Sequence, residues 1–185
     1  MVQYAVPTGD SDVANWTNQA DSSTNIYQSI DNGINGGTPD NSVFIKNTNS
    51  SAGSSDESEF GLTNLTDPES SSSHIVHYIG ASNGGSSLDI RFTLLQGSSG
   101  VRSETVNFPG NFGSPIITTG SFTLTADEAN SISDYNDLFI AVSGFFNFGN
   151  TPQVYELEFE VPGDGGGGGG DVEDPTNPEA FLMFL

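Results

Sequence analysis

The chain has 185 residues, of which 24 are acidic and three basic, giving a formal net charge of −21 at pH 7. That balance excludes a nucleic-acid partner, because Lys46, Arg91 and Arg102 cannot neutralise a row of phosphates, and it excludes docking on anionic lipid. There is no cysteine, hence no disulfide or thiolate chemistry, and no run approaches the roughly 20 apolar residues of a membrane helix.

The length suits one domain of about 150 residues. Salt screens the self-repulsion of so many carboxylates, so the composition fits a marine or otherwise saline setting. Ser, Thr, Asn and Gly dominate the polar residues, a mixture that favours strands and turns over helices. The opening "MVQYAVPTGD" has no basic region followed by an apolar one, so no secretory signal is expected.

Along the chain, Val13, Trp16, Ile26, Tyr27 and Ile30 anchor the first segment, and "TNIYQSI" reads as a short helix or a strand edge. "NGINGGTPDN" is a loop, "SVFIKN" a short strand, and "TNSSAGSSDES" a second loop. "EFGLTNL" alternates as a strand. In "HIVHYIGAS" the set Ile75, His77 and Ile79 faces one side, and His74, Val76 and Tyr78 the other. "LDIRFTLLQ" is the cleanest strand, with Leu88, Ile90, Phe92 and Leu94 on one face, and "GSSG" joins it to "VRSETVNF" as a hairpin. "IITTGSFTLT" is a strand with Gly120 as an expected bulge. Thr125 and Glu128 fit a capping box, which predicts one short helix. "DYNDLFIAVSGFF" is a buried strand. In the last strand, "VYELEFEV", Tyr155, Leu157, Phe159 and Val161 are expected inside, with Glu156, Glu158 and Glu160 in water. About eight strands and one helix predict an all-β antiparallel sandwich or jelly roll. The expected division is a β-sandwich over 1–162, a glycine-rich acidic linker over 163–179, and an apolar C-terminal anchor over 180–185.

The chemistry-bearing patterns are sparse. His74 and His77 are three apart in one strand, hence on opposite faces, and do not suggest a shared metal. No zinc set is present. Asp10, Asp12, Asp134 and Asp137 sit in loops and are the calcium candidates, with turn and cap bonding as the alternative. No cofactor is otherwise expected. No G-x-S-x-G elbow is present, and a hydrolase triad lacks a suitable histidine. Trp16 and Tyr135, with Tyr27 and Tyr78, are the candidates for an aromatic platform against sugar rings, with core packing as the alternative.

The tail carries a different pattern. Six consecutive glycines lead through Pro175 and Pro178 to Phe181, Leu182, Met183, Phe184 and Leu185. A glycine-rich stretch behaves as a coil, and each large apolar side chain gains about 1.5–3 kcal/mol when fully buried. Six residues cannot span a bilayer, so the expected target is an apolar groove on another protein, with fold-back onto the chain's own domain or a disordered end as the alternatives.

Three further pieces, "LTDPESSSSHIVHY", "LLQGSS" and "LTADEANSISDYNDL", carry a resemblance over roughly Ala5–Val161. The chain resembles the compact jelly-roll-type domain that recurs among structural proteins of tailed bacteriophages. Relatives often have arginines after the first His of "HIVHYIGAS", and this chain has none. The resemblance implies a virion component displayed on the particle surface, with other virion proteins as partners; separately, a lone domain with one sticky end suits a trimer or pentamer, because avidity strengthens several weak plugs at once. It carries over no catalytic residue. The expected function is non-enzymatic: a capsid decoration or head-fibre subunit held by Phe181–Leu185. The alternative is a receptor- or glycan-binding module of a tail fibre.

Overall fold

Short polar side chains that bond their own backbone weaken helices, and the β-branched and aromatic residues between them suit a pleated surface. The computed structural model describes residues 1–49, 55–145 and 149–163, and among them the chain forms an antiparallel β-sandwich. The strands are β1 (Val2–Ala5), β2 (Pro7–Asp12), β3 (Trp16–Asn18), β4 (Ile45–Asn47), β5 (Ser55–Leu62), β6 (Ile75–Asn83), β7 (Leu88–Gln96), β8 (Ser99–Phe108), β9 (Thr118–Thr123), β10 (Leu138–Phe145) and β11 (Thr151–Pro162). "TNIYQSI" contains a 3-10 turn, Ile26–Ser29, and the predicted helix is α1 (Ala126–Asn130). Its capping box is complete: Thr125 accepts from the Glu128 amide, and the Glu128 carboxylate accepts from the Thr125 amide.

One sheet runs β3-β4-β11-β6-β9, with β1 pairing β11 beside β4; the other runs β2-β5-β10-β7-β8. From β4 to β11 the chain changes sheet at every step except the β7–β8 hairpin, as in a jelly roll. Between the sheets lies one core. Tyr78 stacks on Phe92 with centroids 4.5 Å apart, and Phe108 meets both rings edge-on. Trp16, Phe60, Ile90, Ile140, Leu157 and Phe159 complete its centre.

Strands β1 to β3 escaped the sequence reading. They are short, contain Pro and Gly, and become strands through partners far away in sequence, β11, β5 and β4. Gly120 is not a bulge. β9 pairs with β6 in unbroken register, and a Cβ at Gly120 would strike the Tyr78 ring. The glycine makes room for that ring.

Strand β11 does not alternate simply along its length. The register with β6 shifts between Val154 and Glu156. Val154, Leu157, Phe159 and Val161 enter the core, whereas Tyr155 lies on the sheet's outer face with Ile79, Ala81, Ile34 and Phe44. Glu156 and Glu158, expected in water, are both 0% exposed. Residues 31–44 cross this face as a strap and supply their backbone amides to the two carboxylates. Glu158 accepts from the amides of Ile34, Asn35 and Gly36 at 2.9 Å each, and from Asn35 Nδ2 at 3.0 Å. Glu156 accepts from the amides of Asn32 and Asp40 at 3.1 and 3.0 Å. A loop laid over a sheet must satisfy its N–H groups, and an ionised carboxylate is an acceptor-only group with room for several. Desolvation pushes the Glu156 carboxyl above its usual range.

Strand β11 ends at Pro162, and the linker from residue 164 onward and the anchor, Phe181–Leu185, lie outside the described residues. No helix among the described residues is long and apolar enough to cross a membrane.

Candidate ligand-binding face

The two sheets differ in what covers their outer faces. The six-stranded sheet is overlain by residues 31–44. The five-stranded sheet presents outward the alternate residues of β5, β10, β7 and β8, because Phe60, Leu62, Leu138, Ile140, Val142, Ile90, Phe92, Leu94, Val106 and Phe108 pack in or against the core. Antiparallel register sets those outward residues in rows. One row is Glu59–Ala141–Thr93–Ser103, and the next is Glu57–Ser143–Arg91–Thr105. A third ends in Asp89 and Asn107, where Asn107 Nδ2 donates to Asp89 Oδ1 at 2.7 Å. At the opposite end Phe139 lies across Gly61, with ring atoms 3.6–3.8 Å from where a glycine Cβ would be.

Arg91 reaches over Ser143 to Glu57, Nη2 to Oε2 3.2 Å, with the two side chains 39% and 41% exposed. An exposed pair of this kind adds little stability. Its consequence is geometric: guanidinium and carboxylate are held side by side in mid-sheet. Ser143 Oγ and Arg91 Nε are shielded from water and have no hydrogen-bond partner among the described residues. Thr93 and Ser103 share a hydroxyl–hydroxyl bond of 2.9 Å. Ser103, Thr105, Asn107 and Asp89 are exposed. Beside this face, at the free edge of β8, residues 100–103 and Glu128 border a hollow of about 430 Å³. The face therefore offers donors and acceptors in fixed rows, one cation among acids, and one aromatic ring. It is suited to an extended polyhydroxyl ligand. None of its residues stood out in the sequence, since a row across four strands has no sequence spacing.

The residues nominated from the sequence lie elsewhere. Trp16 is buried, and its indole N–H donates to the Asp56 carbonyl at 3.1 Å. Tyr135 is buried, and its hydroxyl meets His74 Nε2 at 2.7 Å. Since His74 Nδ1 lies 3.0 Å from the Ser72 carbonyl, which can only accept, Nδ1 carries the proton and Nε2 accepts from tyrosine. Burial holds His74 below the usual imidazole range and pushes Tyr135 up to about 12. Neither Trp16 nor Tyr135 can offer a ring face to sugar, because each is packed as core. Tyr135 does edge a cavity of about 340 Å³ with Asp67, Glu69, Ser70 and Asn130. Tyr78 is buried and Tyr27 half-buried.

The carboxylates of three calcium candidates, Asp10, Asp12 and Asp134, accept backbone N–H groups in turns and caps. Asp10 accepts from the amides of Ile26 and Tyr27 at 2.9 Å, which fixes the 3-10 turn. Asp12 accepts from Ala14 and Asp134 from Asn136, both two residues on. The Asp137 carbonyl accepts from the Gly97 amide. Among the described residues no group of three or more His, Cys, Asp or Glu side chains could hold a metal. His77 points away from His74 and meets Glu160 at 2.8 Å.

No protein-family model matches the chain, and no curated protein matches it. Among solved structures, TmCBM61 in complex with β-1,4-galactotriose is 10% identical with a TM-score of 0.41, covering 87% of this chain and 88% of that one. The enzymatically active domain of bacteriophage CBA120 tailspike protein 4 is 10% identical with a TM-score of 0.43, and the chain spans only 19% of its length. An exo-β-1,3-galactanase from Phanerochaete chrysosporium is 10% identical with a TM-score of 0.39, and the chain spans 29% of it. At such scores the likeness decides nothing about ligand or activity; the fold rests on the strand pairing itself.

Proposed function

We propose that this chain is a non-enzymatic glycan-binding module and that its ligand lies along the outer face of the five-stranded sheet. The observation that carries this is the contrast between the faces. A strap crosses the middle of one sheet, while the other turns carboxylate, hydroxyl, amide and guanidinium groups of Glu57, Glu59, Arg91, Ser103, Thr105 and Asn107 to solvent around a middle of small buried residues, Ala141, Ser143 and Thr93. Sugar hydroxyls are recognised by such groups in pairs, and the unpartnered Ser143 Oγ and Arg91 Nε lie beneath that surface. With the resemblance to tailed-phage structural domains, the reading makes the ligand a polysaccharide of a host surface. Capsid decoration through Phe181–Leu185 is the second reading; it rests on the apolar run at the end of the sequence.

The test is a glycan array probed with the full chain, followed by titration of a hit. Arg91→Ala and Glu59→Ala should each weaken binding about tenfold or more, which is about 1.4 kcal/mol, without lowering the melting temperature. A folded chain that binds no glycan, or one whose binding survives both substitutions, overturns the reading. If the full chain then cosediments with particles lacking it and a chain ending at Val161 does not, decoration takes its place.

A further inference from the structure

Among the described residues, one aromatic ring is almost wholly open to solvent. Phe112, in the segment between β8 and β9, is 88% exposed. It is nevertheless seated. A Cβ on Gly85 would overlap Cζ, Cε1 and Cε2 of the ring, so the tip of the ring lies over that glycine. The seat is itself fixed. Gly84 bridges to Asn111, Gly110 packs against the Ser86 backbone, and Asn150 Oδ1 accepts from the Ser86 amide at 3.0 Å. Asn150 is 1% exposed, and its Nδ2 has no partner among the described residues. The tip of the Phe112 ring thus rests over the Gly85 backbone while most of the ring faces water, with Ser86, Ser87 and Asn111 exposed nearby.

We propose that Phe112 is a stacking platform for an uncharged pyranose. The inference rests on the glycan reading and names its ligand class. The axial C–H groups of a pyranose carry partial positive charge and match the electron-rich face of a phenyl ring. The amide and hydroxyl groups beside the ring can meet the sugar's equatorial hydroxyls. A body of net charge −21 repels uronic and sialic acids, which selects neutral sugars. An apolar protein partner fits less well, because the ring is seated among Gly, Ser and Asn. Ile116 and Ile117 are exposed further along the segment. A ring already held in place loses little conformational freedom when a ligand stacks on it.

The experiment titrates the full chain with neutral glucose-, galactose- and mannose-based oligosaccharides and with uronic-acid oligomers. Binding of a neutral oligosaccharide should fall about tenfold in Phe112→Ala and hold within about threefold in Phe112→Trp, with melting temperatures unchanged. Gly85→Ala, which lifts the ring from its seat without altering it, should weaken binding severalfold. Preference for the acidic oligomers, or wild-type affinity in Phe112→Ala while Arg91→Ala loses binding, overturns this inference alone. Binding of no oligosaccharide by the folded wild-type chain overturns the glycan reading with it.

Discussion

At the residue scale, burial follows hydrogen-bond supply more closely than hydropathy. Glu158 is a charged residue with no exposed surface because four N–H groups, three of them backbone, converge on it. Removing it leaves the amides of Ile34, Asn35 and Gly36 beneath the strap without acceptors, and each buried unsatisfied donor costs about 1–3 kcal/mol. Glu158→Ala is expected to destabilise the sandwich by about 3 kcal/mol and to raise amide exchange across residues 31–44. Chemical denaturation and hydrogen exchange measure both. Unchanged exchange in the strap would show that its own contacts, such as Phe44 on Tyr155, hold it without the carboxylate.

At the element scale, β9 and β6 pack as closely as they do because one position has no side chain. Tyr78 lies across Gly120 and stacks on Phe92, so this glycine is set by the neighbouring strand rather than by its own backbone angles. Gly120→Val should improve the intrinsic strand propensity of β9 and still destabilise the protein by about 1–3 kcal/mol, because the added methyl groups push the ring out of its stack. A lowered denaturation midpoint with altered near-ultraviolet tyrosine circular dichroism is the expected result. A midpoint at or above wild type would mean that the ring has free space beyond the stack. The same logic applies to β7 and β10. Their inward residues stabilise the core, and Arg91, Thr93 and Ser143 alternate with them on the side of the sheet where the proposed ligand face lies.

At the scale of the whole molecule, two buried titrating groups set opposite pH limits. Burial raises the Glu156 carboxyl, so the folded chain holds that proton more tightly than the unfolded chain does. Its stabilising contribution is complete below the ordinary glutamate value of about 4.5 and is lost as pH rises through the raised folded value. His74 is the reverse case. Burial lowers it, so its contribution is present above about 6.5 and is lost as pH falls through the depressed folded value. Between those limits the two slopes oppose one another. In a Glu156→Gln chain only the histidine slope of this pair remains, so stability should fall more steeply on acidification from pH 6.5 than in wild type. Denaturation midpoints from pH 7 to 4.5 test this. Parallel profiles would mean that Glu156 stays ionised throughout.

The sequence by itself determined the class of fold, the β7–β8 hairpin, the capped helix, and which residues of β7 form the core. Each of these depends on near neighbours: alternation with a period of two, a turn between two runs, or a Thr and a Glu three residues apart. It also determined the overall charge and what that charge repels. Only the tertiary structure decided that Trp16 and Tyr135 are core, that Asp10 caps a turn, and that Glu156 and Glu158 lie beneath a strap more than a hundred residues away in sequence. It alone laid the strap across the six-stranded sheet and set the tip of Phe112 on Gly85. Such facts come from pairings between strands and loops distant in the chain. No residue's local pattern records what will be laid across it after folding.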